Sequence, residues 1–167
     1  VQRLFGAFVP QLRLLLADGG AGASFAGGGS GGGVYLVCKT LSGTGGRISA
    51  NGGLNPSTIY TSYDGGGGGG GRIAVLYDTA AQTWIPDIVF SAAGAFGAHS
   101  YGDAGTLWFP DNRFLSETVR HSGQWLVDGF SSWAPSSLTV TGAWFRLPEG
   151  FQLHVTNGVT LVGADKG

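Results

Sequence analysis

From residue 34 onward, short apolar runs alternate with glycine and small polar residues. Residues 34–41 read VYLVCKTL, residues 72–77 read RIAVLY and residues 87–94 read DIVFSAAG. These runs are rich in β-branched and aromatic residues and are bounded by Gly, Asn and Asp, which is the signature of strands. The C-terminal quarter tightens the pattern: Gly142, Gly150 and Gly158 fall 8 apart and separate SLTVTG, AWFRLPEG, FQLHVTNG and VTLVG. Alternation there sends Leu138, Val140, Phe145, Leu147, Leu153, Val155, Val159 and Leu161 to one side, and Thr139, Arg146, His154 and Thr160 to the other. No 3.6-residue recurrence survives past residue 20, and each helical glycine would cost about 1 kcal/mol. The prediction is an all-β chain without regular helix after residue 20.

The runs recur. GGGSGGG at 27–33 precedes VYLVCKTL and, after a gap, RISANGG at 47–53. GGGGGGG at 65–71 precedes RIAVLY and then DIVFSAAG. A degenerate third copy opens with GDAG at 102–105, continues as TLWF and, after a longer gap, reaches QWLVDG at 124–129. The starts at 27, 65 and 102 are 38 and 37 residues apart. The chain therefore divides into an apolar N-terminal segment, 1–26, and a glycine-rich repeat domain, 27–167. The repeats lie near 27–64, 65–101 and 102–137, followed by the short-period strands of 138–163.

Three faces of about eight residues make a coil of roughly 24, which suits a solenoid of stacked strands. The architecture expected is a right-handed parallel β-helix. The alternative is a β-sandwich or roll, with hairpins turning at Asn157-Gly158. In a solenoid, the two glycine runs share one phase and lie one above the other, as extended polyproline-II-like segments bonded to their neighbours. Glycine is what a close backbone approach requires.

The string GGGSGGGVYLVCKTLSGTGGRISANGG, with GGGGGGGRIAVLYD and AGTLWF after it, resembles glycine-rich β-helix modules of very large secreted or surface bacterial proteins. The resemblance covers residues 27–130, about three-fifths of the chain. It implies an extracellular or cell-surface location and an adhesive or sheath-like role, and it carries over no catalytic residue.

Composition narrows the function. Glycine occupies 33 of 167 positions, about three times its usual share of roughly 7%. Hydrophobic residues at 43% exclude a disordered glycine linker. Charged residues are 11% and the net charge is −1, with no basic block to bind nucleic acid. Arg outnumbers Lys seven to two. Cys38 stands alone, which rules out an intrachain disulfide and a cysteine metal site. Methionine is absent even at position 1, so the chain reads as processed or excised. Arg3, Pro10 and Arg13 interrupt the apolar stretch 1–17, leaving no run of the roughly 18 residues a membrane span needs.

Candidate chemistry is thin. Gly28-Gly29-Ser30-Gly31-Gly32 matches G-x-S-x-G, but glycine flanks Ser30 on both sides where a nucleophile elbow needs a strand and a helix. The glycine run 65–71 has no helix behind it to present to a phosphate. Asp64 and Asp103 adjoin glycine stretches singly, without the carboxylate ladder of calcium-binding rolls. His99, His121 and His154 lack ligand spacing. Asp111, Arg113, Glu117, Arg120, His121 and Asp128 form the one charge-dense stretch, the place to look for carboxylate chemistry on a polysaccharide. The plainer reading is a solvated excursion. Trp84, Trp108, Trp125, Trp133 and Trp144 are expected mainly as core, with an exposed sugar-stacking row as the alternative. A threonine ice-binding ladder is excluded because only Thr139-Val140-Thr141 fits T-x-T.

The sequence thus points to a non-enzymatic structural or adhesive module of an extracellular fibre, sheath or adhesin stalk. No catalytic, cofactor or metal residues are assigned. Self-association is expected, with residues 1–17 contributing, and polysaccharide is a possible partner. The competing classes are a carbohydrate-binding or carbohydrate-active β-helix of lyase or hydrolase type and, more weakly, a phage or secretion-system fibre piece.

Overall fold

The computed structural model describes residues 2–6, 14–23, 26–55, 65–98, 100–115, 118–119, 121–127 and 130–163. The protein is all-β, and its strand pairings among these residues are parallel. Fourteen strands follow in order: β1 (Gln2–Gly6), β2 (Leu14–Leu16), β3 (Gly33–Cys38), β4 (Thr44–Ser49), β5 (Arg72–Tyr77), β6 (Asp87–Ser91) and β7 (Thr106–Trp108). After them come β8 (Thr118–Val119), β9 (Gly123–Leu126), β10 (Ser132–Trp133), β11 (Ser137–Thr141), β12 (Ala143–Arg146), β13 (Gln152–Leu153) and β14 (Gly158–Val162). A single 3-10 turn, Asn112–Phe114, is the one helical element described.

The chain deals its strands out in rotation. A six-stranded sheet runs β1-β3-β5-β7-β9-β12, a second β2-β4-β6, a third β8-β11-β14, and a short pair β10-β13. A bridge between Ser91 and Ser122 joins the second sheet to the chain just after β8. Register sets the core. Val34, Ile73, Leu107, Trp125 and Phe145 occupy one column of the large sheet, and Leu36 lies beside Val75 in the next inward column. The first four of that column and both residues of the next are buried. Leu15, Ile48 and Phe90 form the facing column of the second sheet.

Between the two columns lies an aromatic spine. Phe90 meets Phe109 and Phe114 edge-on at 4.9 and 5.7 Å. Phe109 stacks on Trp125 at 4.8 Å, and Trp125 stacks on Phe145 at 6.4 Å. Such pairs add about 0.5–1.5 kcal/mol each beyond the area they bury.

The 8-residue strands do not fold back as hairpins. β14 pairs with β11 in parallel, with Gly158 beside Ser137, 21 residues earlier in the chain. Gly142 and Gly150, at φ 62° and 77°, make the corners on either side of β12. The segment QWLVDG also differs from its sequence reading as a second strand of the third repeat. Gln124–Leu126 pairs with Thr106–Trp108 in the large sheet, so it is the next strand of that sheet. The apolar side of Trp125 fits the Leu107 column, which decides the register. Register partners in the large sheet lie 32, 39 and 34 residues apart from β1 to β7, and 18 and 20 apart from β7 to β12.

Candidate functional site

The glycine stretches form an ordered double layer. Residues 17–22, 50–55 and 92–96 make one row: Gly19 and Gly22 donate to Asn51 and Leu54, and Gly52 and Asn55 donate to Ala93 and Phe96. Residues 28–32, 66–71 and 100–105 make the other: Gly28 and Gly31 donate to Gly66 and Gly69, and Gly67 and Gly70 donate to Ser100 and Asp103. Bonds recur every third residue, the repeat of a polyproline II turn. Remaining N–H groups cross between rows with the opposite sense: Gly29 to Gly20, Gly68 to Gly53, Gly71 to Ala50, Gly102 to Ala95 and Gly105 to Ala92, at 2.6–3.0 Å.

The two glycine runs therefore do lie side by side in one phase. There is no room for side chains at several of the crossing positions: a Cβ on Gly68 would overlap the Gly29 carbonyl, and one on Gly53 would overlap that of Gly20. Gly69 differs, with only the Asp103 oxygen 3.8 Å from such a Cβ. Ser30 is exposed on this layer, between Gly29 and Gly31, whose N–H groups both serve the lattice.

A polar ladder stitches the corner between the second sheet and this layer. Asp18 accepts from Ser49 Oγ (3.0 Å) and Asn51 N (2.6 Å). Asn51 Oδ1 repeats the arrangement one circuit on, accepting from Ser91 Oγ (2.6 Å) and Ala93 N (2.9 Å). Ala93 ends it. The signal was in RISANGG beside DIVFSAAG, where Asn51 precedes Ala93 in the same frame. Gln82, fully buried, closes another corner by taking both the N–H and the C=O of Leu41, at 2.6 and 3.1 Å.

The described residues of the charge-dense stretch, Asp111, Arg113 and His121, serve the scaffold. Asp111 Oδ1 accepts from Tyr77 OH (2.6 Å) and from Arg113 N (2.9 Å), capping the 3-10 turn. Arg113 reaches Asp111 at 3.6 Å and donates to the Thr79 carbonyl at 2.9 Å. Burial and the Asp111 carboxylate push the Tyr77 hydroxyl up. His121 packs between Phe90 and Trp125, and its Nδ1 accepts from Phe90 N at 3.2 Å. Burial lowers its pKa to about 4, so the ring is neutral at physiological pH. Burial also raises the Cys38 thiol, leaving it protonated. Glu117, Arg120, Asp128, His99 and Asp64 lie outside the described residues. Asp103 and His154 are exposed and far apart in the strand order. Among the described residues, no three His, Cys, Asp or Glu side chains gather as metal ligands, and no helix is long and apolar enough to cross a membrane.

The five tryptophans divide. Trp125 is core, with no acceptor for its indole N–H among the described residues. Trp108 and Trp133 are half-buried, while Trp84 and Trp144 are exposed on different circuits and form no row together. Register does build one column that the T-x-T count missed, because Thr118, Thr139 and Thr160 stand side by side across three strands.

The last circuit stands open. Leu138 and Val140 on β11 are 3% and 7% exposed, yet Val159 and Leu161, their register partners on β14, are 53% and 73% exposed. Nothing among the described residues covers that side of β14. Compared with known proteins, the chain matches no family model, no curated protein and no solved structure.

Proposed function

We propose that the parallel sheets are the faces of one right-handed parallel β-helix, and that the protein is a structural, self-associating module of an extracellular fibre, sheath or adhesin stalk. The rotation of strands among sheets and the constant direction of their pairing support the solenoid. The double glycine layer supports a stiff one, since it fixes the backbone without needing a wide side-chain core.

The observation that carries self-association is the exposure jump from β11 to β14. Apolar side chains that are buried in one circuit face water in the next, beside a strand edge with unpaired N–H and C=O groups. A second copy offers β1 and β2 at the opposite end, edge strands of the same polarity, with Leu14 and Leu16 exposed. Joining unlike ends is a heterologous contact, which propagates rather than closing on itself unless the rotation forms a ring. Asp18, Asp111 and His121 brace the scaffold, which supports a role without catalysis.

Sedimentation velocity and negative-stain electron microscopy test this. The protein is expected to form concentration-dependent linear species, and the Val159→Lys/Leu161→Lys double variant to stay monomeric with an unchanged far-ultraviolet circular dichroism spectrum. A parent chain that is monomeric at every concentration overturns the reading.

A further inference from the structure

A trough with aromatic walls crosses the circuits at the corner that follows β2, β4, β6, β8, β11 and β14. It consists of two basins that share Ala93 and Gly94. One, of about 360 Å³, runs from there past Tyr101 and Gly123 to Trp144 and Val162. The other, of about 460 Å³, runs back past Phe96 and Leu54 to Asp18. Five inter-strand steps of about 4.8 Å give the whole a length of roughly 24 Å.

Three features define what fits. The rings of Tyr101 and Trp144 are 47% and 53% exposed, and Phe96, edge-on to Tyr101 at 5.2 Å, extends the wall. The floor is backbone of glycine and alanine, already held by lattice hydrogen bonds, so it offers peptide dipoles at close range without reorganising. Charge is nearly absent. Among the described residues, no ionised side chain lines the Tyr101–Trp144 basin, and the single carboxylate of the other, Asp18, is engaged by Ser49 and Asn51. With no cation along it among those residues, the described lining gives an acidic polymer no partner.

From this we infer that the trough binds a neutral polysaccharide chain, with pyranose C–H faces against Tyr101 and Trp144 and hydroxyl groups toward the glycine backbone. A ring face offers an apolar platform with an electron-rich surface, which suits the polarised C–H groups of a sugar and leaves its hydroxyls free. The length of the trough favours a polymer over a free monosaccharide. The inference stands apart from the stalk reading: one concerns the ends of the solenoid, the other its side.

The test is calorimetric titration of the full chain with cellohexaose, maltohexaose and chitohexaose, with polygalacturonate as the acidic comparison. At least one neutral hexasaccharide is expected to bind. Trp144→Ala and Tyr101→Ala should each weaken that binding about tenfold, the loss of one good ring contact. Trp84→Ala, also an exposed tryptophan but lining neither basin, should leave it unchanged. Circular dichroism and sedimentation of each variant accompany the titrations. Failure of all three neutral oligomers to bind overturns the inference, as does binding that survives both ring removals, or binding of polygalacturonate alone. If Trp144→Ala instead dissolves assemblies and no sugar binds, the trough is a contact between copies and the inference falls while the stalk reading stands. Ring-dependent sugar binding by a strictly monomeric chain does the reverse, upholding the inference and removing the stalk reading.

Discussion

The glycine layer and strands β9 to β14 stack extended chain in opposite ways. In the layer, segments approach until, at most of the glycines, carbonyls fill the space where side chains would stand, and many N–H groups find a backbone partner in the same row or the facing one. In β9 to β14, side chains fill the interior and the backbone bonds stay within sheets. The first arrangement tolerates no added atom at its close approaches, such as Gly68 and Gly53. The second tolerates additions wherever the interior is open. A single 167-residue chain therefore holds one region governed by exclusion and another governed by side-chain fit.

The sharpest way to break that contrast is one methyl group in each region. Gly68→Ala is expected to cost at least about 4 kcal/mol, above the usual overpacking range, because the obstacle is a carbonyl and not a movable side chain. Gly158→Ala, with nothing within 4 Å of its Cβ, should change stability by less than about 0.5 kcal/mol. Urea midpoints of the two variants measure both, and equal effects would remove the distinction. Gly69→Ala belongs with the tolerant class although it sits in the same run as Gly68.

Acid probes the junction between the regions, where His121 supports Phe90. Its folded pKa of about 4 lies below the ordinary value of 6.5, so the neutral form is the one folding favours. The stability it contributes is complete above pH 6.5 and is lost as pH falls through 4, up to about 3 kcal/mol. His121→Asn keeps an acceptor without a titrating ring, so its stability should fall less steeply across that window. An identical slope would show that His121 does not titrate with folding.

Within the side-chain region, Leu138→Ala should cost about 2–3 kcal/mol. Leu161→Ala, on the open strand, should cost under about 1 kcal/mol when measured on the monomer, because little area leaves water there. The ladder at the edge of the glycine layer comes last. Asn51→Ala removes the acceptor for Ser91 Oγ and Ala93 N and should cost about 1–2 kcal/mol, read from thermal unfolding.

How much of this was legible follows from what sets each feature. Alternation exposed the strands, since period 2 is a property of the backbone and needs no partner. The shared phase of Gly27–Gly33 and Gly65–Gly71 placed the two runs together, because each leads into a strand, β3 or β5, and those two strands pair in register. The sequence could not say which glycine N–H crosses to the facing row, since every glycine looks alike and only the fold decides that Gly68 is hemmed in and Gly69 is not. Trp125 hid its register for a related reason: QWLVDG resembles any strand, and only the Leu107 column assigns it to the large sheet. Asp111 and Arg113 looked like chemistry because charge was scarce around them. Their actual partners, Tyr77 and the Thr79 carbonyl, are more than thirty residues away. The open side of β14 is equally silent in VTLVG, whose alternation is as good as that of the buried SLTVTG.

The glycine layer also shapes how the molecule responds to temperature. Unfolding it exposes mostly peptide groups, and newly hydrated polar surface lowers the heat capacity while apolar surface raises it. A region with so few side chains therefore pulls the heat-capacity change of the whole chain below the usual value of roughly 12–15 cal/mol/K per residue. The stability curve is expected to broaden accordingly, with its low-temperature limb falling off less steeply.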